Sequence, residues 1–204
     1  ITSRTGIRTR HWCTADESAA TLAIAAAKQA LQRSGLAPAD IACCVCATLS
    51  APDATPSVAC QVQAALGLPE NRPALDINAA CSGFLYGMAV ARGMLTTLGG
   101  QYALVIGCEA LSRLMDPTDR STCVLFGDGA GAAVITLDEN SRYAFDCGAD
   151  GNTEVLYCPK SYHNTNPFAA SLPEQPEQQV KMEGRAVYSF AVQALSGSIR
   201  RVAD

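Results

Sequence analysis

The sequence predicts a layered α/β domain with a central sheet covered by helices on both faces, and three observations support that prediction. Apolar runs of strand length alternate with longer helical stretches that end at glycine. The runs do not alternate apolar with polar, which is the pattern of strands buried on both faces. The 204 residues are 49% hydrophobic and only 17% charged, enough apolar material for a sizeable core and too little charge for a disordered chain.

Each element follows from local signals. After the Arg-rich opening Arg4-Thr5-Gly6-Ile7-Arg8-Thr9-Arg10, a capping region over residues 14–18 leads into an Ala-rich helix, Ala19 to Ser34, closed by Gly35. Ile41 to Leu49 is an unalternated apolar run and reads as a buried strand, and Thr55-Pro56 opens a short helix that ends near Gly67. A short strand follows at Ala74 to Ile77. A helix from about Ser82 to Leu98 comes next, stopped by Gly99-Gly100, with Phe84, Met88, Ala91, Leu95 and Leu98 on one face. Tyr102 to Gly107 is a further buried strand. Beyond Asp128-Gly129-Ala130-Gly131, Ala132 to Leu137 reads as a strand, with a neighbour around Tyr143 to Cys147. Lys160 to Gln179 carries Pro167, Pro173 and Pro176 among polar residues and reads as an exposed excursion within one interrupted domain. The chain starts at Ile1, and the helical pattern from Gly184 to Asp204 stops without Gly, Asn or Pro after it, so both ends read as cut.

Several classes of function are disfavoured. No run approaches the ~20 apolar residues of a membrane span and nothing resembles a secretory leader, so a cytosolic protein is expected. Ten cysteines suggest a disulfide scaffold only in a short loop-rich chain, and this one is long and strongly patterned, which favours reduced thiols. Cys43, Cys44 and Cys46 lie inside an apolar run with no second ligand pair at metal spacing, and they read as small core residues rather than a metal site. A net charge of −4 disfavours nucleic acid as a partner. Gly127-Asp128-Gly129-Ala130-Gly131-Ala132 has the look of a dinucleotide fingerprint, yet it precedes a strand instead of following one, and no redox cofactor is expected.

The most informative segment is Asp76-Ile77-Asn78-Ala79-Ala80-Cys81-Ser82-Gly83-Phe84, where a strand ends, small residues turn and a helix begins beside a cysteine. A thiol at a helix N-terminus lies at the positive end of the helix dipole, which favours the thiolate, the nucleophilic form. The same turn aims backbone N–H groups at the place where an attacked thioester carbonyl develops negative charge. Ala79, Ala80, Ser82 and Gly83 leave room for a substrate there. The competing reading of Cys81 as one more buried thiol is outweighed by this setting.

Asn78-Ala79-Ala80-Cys81-Ser82-Gly83-Phe84 closely resembles the nucleophile motif of the β-ketoacyl-acyl carrier protein synthase III family. Arg4-Thr5-Gly6-Ile7-Arg8, Pro56-Ser57-Val58-Ala59-Cys60-Gln61, Asp116-Pro117-Thr118-Asp119-Arg120 and Leu125-Phe126-Gly127-Asp128-Gly129-Ala130-Gly131-Ala132 resemble its other signatures, in the same order. The resemblance implies a thiolase-like α-β-α fold. Residues 1–159 would be its N-terminal half without the first strand, residues 160–180 the excursion, and residues 181–204 the first helix region of a truncated C-terminal half. It implies a decarboxylative Claisen condensation in which Cys81 takes an acyl group from acyl-CoA, a substrate rather than a cofactor, and passes it to malonyl-acyl carrier protein. It also implies a homodimer. The family's enolate-stabilising His and Asn come from its C-terminal half. Of the two histidines here, His11 and His163, neither lies in a matching context, so the chain is incomplete for condensation.

Carried over position by position, the resemblance matches Arg4 and Arg120 to arginines that contact the CoA nucleotide, a role suited to guanidinium groups. Tyr188, with Met182 and Gly184, falls where the pantetheine tunnel is lined, though Tyr188 could equally be a core position of the last helix. Phe126 matches an aromatic residue beside the nucleophile that helps exclude water, with a packed core Phe as the alternative. Leu111 resembles part of the acyl pocket. Thr55 departs from acetyl-selective relatives, which carry a Phe there reaching into the partner subunit's pocket, and a smaller residue points to a longer or branched primer. A starter-loading acyltransferase of the same fold, a non-catalytic dimer or carrier-binding subunit and a cysteine hydrolase are the alternatives.

Overall fold

A computed structural model describes residues 1–159 and 179–203, which fall into two compact units. The larger comprises Thr9–Leu111 and Gly127–Phe145, and the smaller Ile1–Arg8, Ser112–Phe126 and Asp146–Asp204. Of the expected exposed excursion at 160–180, residues 160–178 lie outside the described residues, and at its end Val180 is buried, its N–H donating to Leu114 O at 2.8 Å.

The larger unit is built on a four-stranded sheet. Strand β1 (Ile41–Ala47) lies between β2 (Ala74–Ile77) and β3 (Tyr102–Ala110), parallel to both, and β4 (Asp128–Thr136) runs antiparallel to β3, giving the order β2-β1-β3-β4. Parallel neighbours require crossovers, and two helices supply them: α3 (Val58–Leu66) between β1 and β2, and α4 (Gly83–Leu98) between β2 and β3. A third helix, α2 (Ala19–Ser34), precedes the sheet. Every residue of β1 is buried because alternate side chains enter different layers. Cys44 and Cys46 pack with Ala20, Ala23 and Ala27 of α2 and Val62 of α3, whereas Cys43 and Val45 pack with Ala91 and Leu95 of α4. This two-sided burial explains the missing polar alternation in the sequence.

Small residues bring the helices close. Ala23 and Ala27 of α2 have no exposed surface. On α4, Gly83 and Gly87 stand one turn apart against the sheet. A Cβ on Gly83 would lie 2.9 Å from Ala47 Cβ, and one on Gly87 would lie 3.2 Å from Val105 Cγ1. The helix starts are set locally. Ser18 and Thr21 form a reciprocal capping box on α2, with Ser18 N–H donating to Thr21 Oγ1 at 2.8 Å. Ser57 caps α3, and Asp76 on β2 accepts the N–H groups of Val58 and Ala59, both at 2.8 Å.

Some sequence expectations need correction. The short helix begins at Val58 rather than at Thr55-Pro56, whose peptide bond is cis. β3 runs on to Ala110, and β4 already begins at Asp128, so the Gly-rich segment is itself paired with β3. Its Asp128 backbone N–H donates to His11 O at 2.8 Å, and Gly127 lies so close to that segment that a Cβ would meet His11 O at 3.1 Å. Leu98 is 44% exposed rather than on the buried face, since it occupies the last turn of α4, where Gly99 reverses the chain in the left-handed conformation. No strand forms at Tyr143 to Cys147 among the described residues. Instead Tyr143 and Phe145 stack at 6.2 Å, Phe145 meets Tyr86 of α4 edge-on, and Arg92 of α4 lies 4.5 Å over the Tyr143 ring. The period-two spacing reflects that aromatic docking.

The smaller unit contains a four-residue helix α1 (Thr2–Thr5), a two-residue pairing of β5 (Leu156–Tyr157) with β6 (Lys181–Met182), and the long helix α5 (Gly184–Ala203). Arg201 of α5 grips Asp146 with two 2.8 Å hydrogen bonds, which hold the Asp146 carboxyl down at about 2.

The glycine contacts yield a paired prediction. Gly83→Ala forces a methyl group against Ala47 and is expected to lower stability by about 1–3 kcal/mol. Gly93→Ala, on the exposed side of α4 with nothing within 4 Å of its added Cβ among the described residues, is expected to raise stability by about 0.5–1 kcal/mol through helix propensity. Urea unfolding of both variants checks the pair, and equal stability of Gly83→Ala and the parent would contradict it.

Candidate active site

Because β1, β2 and β3 are parallel, their C-terminal ends lie along one edge of the sheet, where Ala47 stands level with Ile77 on one side and Gly107 on the other. Ligand sites of open α/β sheets form at such edges. Thr48 extends the pairing by donating its N–H to Ile77 O at 3.0 Å. Beyond Ile77 the chain reverses within a few residues through a 3₁₀ turn, Ala80–Ser82, and enters α4.

That reversal requires an uncommon backbone. Ala80 has φ 44°, the one positive value among the described non-glycine residues, a conformation that costs a residue with a Cβ roughly 1–3 kcal/mol. Asn78 Oδ1 supports it by accepting the Ala80 N–H at 3.3 Å. Cys81 follows and is exposed. The N-terminus of α4 differs from those of α2 and α3 in having no side-chain cap, so its first-turn N–H groups are left without one beside the thiol. Chemically, this arrangement offers an accessible thiol at the start of a helix to an electrophilic carbonyl.

The thiols of the sheet are unsuited to that chemistry. Burial pushes Cys43 up to about 11 and Cys44 up to about 12. Cys46 is driven up by its contact with Cys108 Sγ, 3.5 Å away, and by burial. All four, Cys108 included, are buried.

Two carboxylates that sequence reasoning passed over organise the same edge. Glu109, near the end of β3, accepts hydrogen bonds from Leu49 N–H at 3.0 Å, Ser50 Oγ at 2.5 Å and Thr48 Oγ1 at 3.5 Å. Asp76 holds the start of α3 as described. A lone acid inside each of two apolar runs, Ala74-Leu75-Asp76-Ile77 and Tyr102 to Ala110, was the available signal, since an acid in a buried strand must be matched by donors.

Of the sequence-derived site residues, Cys81, Leu111 and Thr55 belong to the larger unit. Leu111 directly follows β3 and is half-buried, and Thr55 lies exposed on the loop between β1 and α3. The others belong to the smaller unit. Arg4 is exposed on α1, Arg120 is exposed and Phe126 half-buried on the segment between β3 and β4, and Met182 of β6 is half-buried. Gly184 begins α5, where a Cβ would meet Met182 Cε at 4.0 Å, and Tyr188 on that helix is 72% exposed. The segment around Arg120 is shaped by its acids: Asp116 accepts from Thr118 and Asp119 from Ser121 and Thr122, and these hydrogen bonds hold both carboxyls below the usual range. His11 has an exposed side chain, and His163 lies outside the described residues.

Comparison with known proteins places these features. Residues 75–151, which include Cys81, match the family model of 3-oxoacyl-[acyl-carrier-protein (ACP)] synthase III. The β-ketoacyl-[acyl-carrier-protein] synthase III of Natranaerobius thermophilus is 42% identical over 208 residues, and that of Levilactobacillus brevis 44% identical over 207. These alignments cover 98% and 100% of this chain and 62% of each relative. The crystal structure of 3-oxoacyl-(acyl carrier protein) synthase III from Pseudomonas aeruginosa PAO1 matches with TM-score 0.83 at 35% identity, covering 98% of this chain and 60% of that one. The layered fold is thus thiolase-like, and the chain spans about three fifths of the length of these relatives. On sequence and fold together, the chain is similar over nearly its whole length to proteins of the β-ketoacyl-[acyl-carrier-protein] synthase III family.

Proposed function

We propose that the full-length protein carrying this chain catalyses the decarboxylative condensation of an acyl-CoA primer with malonyl-acyl carrier protein, with Cys81 as the acyl-accepting nucleophile. The observation that carries the reading is the exposed Cys81 in a 3₁₀ turn ahead of a helix without a side-chain cap. In the first half-reaction the Cys81 thiolate attacks the thioester carbonyl, the bond from that carbon to the CoA sulfur breaks, and CoA leaves as a thiol after taking up a proton. In the second, malonyl-carrier protein loses carbon dioxide, its enolate carbon attacks the acyl-Cys81 carbonyl, and the Cys81 thiolate is released as the β-ketoacyl product forms. No net redox change occurs, so the scheme consumes no redox cofactor.

The remaining residues take supporting roles in this reading. Arg4 and Arg120 contact the CoA nucleotide, Met182, Gly184 and Tyr188 line the pantetheine passage, and Phe126, Leu111 and Thr55 border the acyl group. The donors to the malonyl carbonyl come from the portion of the relatives that this chain does not span. A homodimer working in the cytosol completes the proposal, and no helix among the described residues is long and apolar enough to cross a membrane.

Purified full-length protein supplied with labelled acyl-CoA and malonyl-acyl carrier protein is expected to release carbon dioxide and form β-ketoacyl-carrier protein. Cys81→Ala is expected to lose at least about 10³-fold of that rate, as removal of a covalent nucleophile does. Product formation that survives Cys81→Ala would refute the assignment.

The primer preference generates a second expectation. Thr55→Phe narrows the acyl pocket and should raise the ratio of acetyl-CoA to longer acyl-CoA use by roughly tenfold or more, the scale at which a few methylene groups are discriminated. An unchanged ratio in competition assays removes Thr55 from the pocket.

A further inference from the structure

Glu109, like Asp76, is a partly buried carboxylate at the Cys81 edge that the condensation scheme leaves without a role, and of the two it is the one joined to the strand that leads into Leu111. Along β3, side chains alternate between the two helix layers. Ala103 and Val105 pack with the α4 layer, and a Cβ on Gly107 would meet Phe84 of α4 at 3.4 Å. Period-two alternation therefore aims Glu109 at the same face, one pleat beyond Gly107 and nearer the edge from which the Cys81 turn departs.

Its hydrogen bonds all lead to one loop. Oε1 accepts from Leu49 N–H, and Oε2 accepts from Ser50 Oγ and Thr48 Oγ1. Ser50 closes the circuit, its Oγ accepting the Ala110 N–H at 2.8 Å and its N–H donating to Thr48 Oγ1 at 3.2 Å. The end of β1 is thus latched to the end of β3, next to Leu111. At the other end of the same loop, Asp76 binds Val58 and Ala59. Thr55 lies between the two latches. Burial raises the Glu109 pKa against the lowering effect of its hydrogen bonds, so the acid is held in a place that opposes its charge.

We infer that Glu109 is a positioning residue that fixes the β1–α3 loop against the end of β3 and thereby sets the acyl-chain selectivity of loading at Cys81. The inference rests on the reading of Cys81 as the acyl-accepting nucleophile. Glu109 itself touches no reacting atom in this account. It acts through the loop that carries Thr55 and through the strand end that leads into Leu111.

The test uses the full-length protein and compares Cys81 acylation by acetyl-, butyryl- and hexanoyl-CoA, read by intact mass, together with the melting temperature. Glu109→Ala is expected to shift the chain-length ratio by roughly tenfold. Glu109→Gln, which keeps an acceptor for Leu49 N–H and a polar group for Ser50 Oγ, is expected to restore most of the parent ratio. Leu31→Ala, a buried position on α2, serves as the stability control and should lower the melting temperature without moving the ratio. If Glu109→Ala does not fold, Ser50→Ala breaks the same circuit and is expected to shift the ratio in the same direction. A parent ratio in Glu109→Ala or, failing that variant, in Ser50→Ala overturns the inference, as does an equal shift in Leu31→Ala. Absence of Cys81 acylation in the parent overturns the underlying reaction as well, so the two failures are distinguishable.

Discussion

The contact between Ala47 and Gly83 admits no side-chain atom beyond the Ala47 methyl, and the geometry of the candidate active site depends on it. Ala47 ends the central strand, and Gly83 is the first residue of α4. With these two in contact, the chain leaving β2 at Ile77 has only a few residues in which to rise from the sheet and turn into the helix. It does so by placing Ala80 in a left-handed conformation and Cys81 in a 3₁₀ turn. The strain at Ala80 is tolerated because the strand before it and the helix after it are each anchored in the core by Val45, Val105, Ala91 and Leu95.

Charge is then introduced where the sheet ends. Parallel strands inside a sheet tolerate few polar groups, yet β2 carries Asp76, satisfied by the first N–H groups of α3, and β3 carries Glu109, satisfied by donors from the β1–α3 connection. The same edge therefore contains a helix start that is capped by a carboxylate from another element and a helix start that has no side-chain cap. The first, at α3, is a fixed structural joint. The second, at α4, leaves the positive end of a helix beside an exposed thiol. One segment of sheet can thus be rigid and reactive at neighbouring positions.

Much of this architecture was legible in the sequence where local signals were strong. Ser18 and Gly35 bracket α2, and the polar-free run at Ile41 announces a strand covered on both sides. Ala74 to Ile77 also reads correctly. Legibility failed where a tertiary partner decides the outcome. Gly129 and Gly131 have little intrinsic strand preference and join β4 because β3 offers them a ladder, whereas Tyr143 to Cys147 has the right period for a strand and docks its rings on α4 instead. At the candidate site the strand-turn-helix setting of Cys81 could be read directly. The positive φ of Ala80 could not, because alanine gives no sign of it. The Glu109 circuit joins residues about sixty positions apart, and no local window contains both ends.

The central claim is that this fold presents one of its ten thiols as an acyl acceptor, and peptide mapping of full-length protein after brief exposure to acyl-CoA tests it most directly. The account predicts an acyl mass on the peptide containing Cys81 and none on the peptides containing Cys43, Cys44, Cys46 or Cys108. An acyl group found instead on another cysteine, or no adduct at all on intact full-length protein, would contradict it.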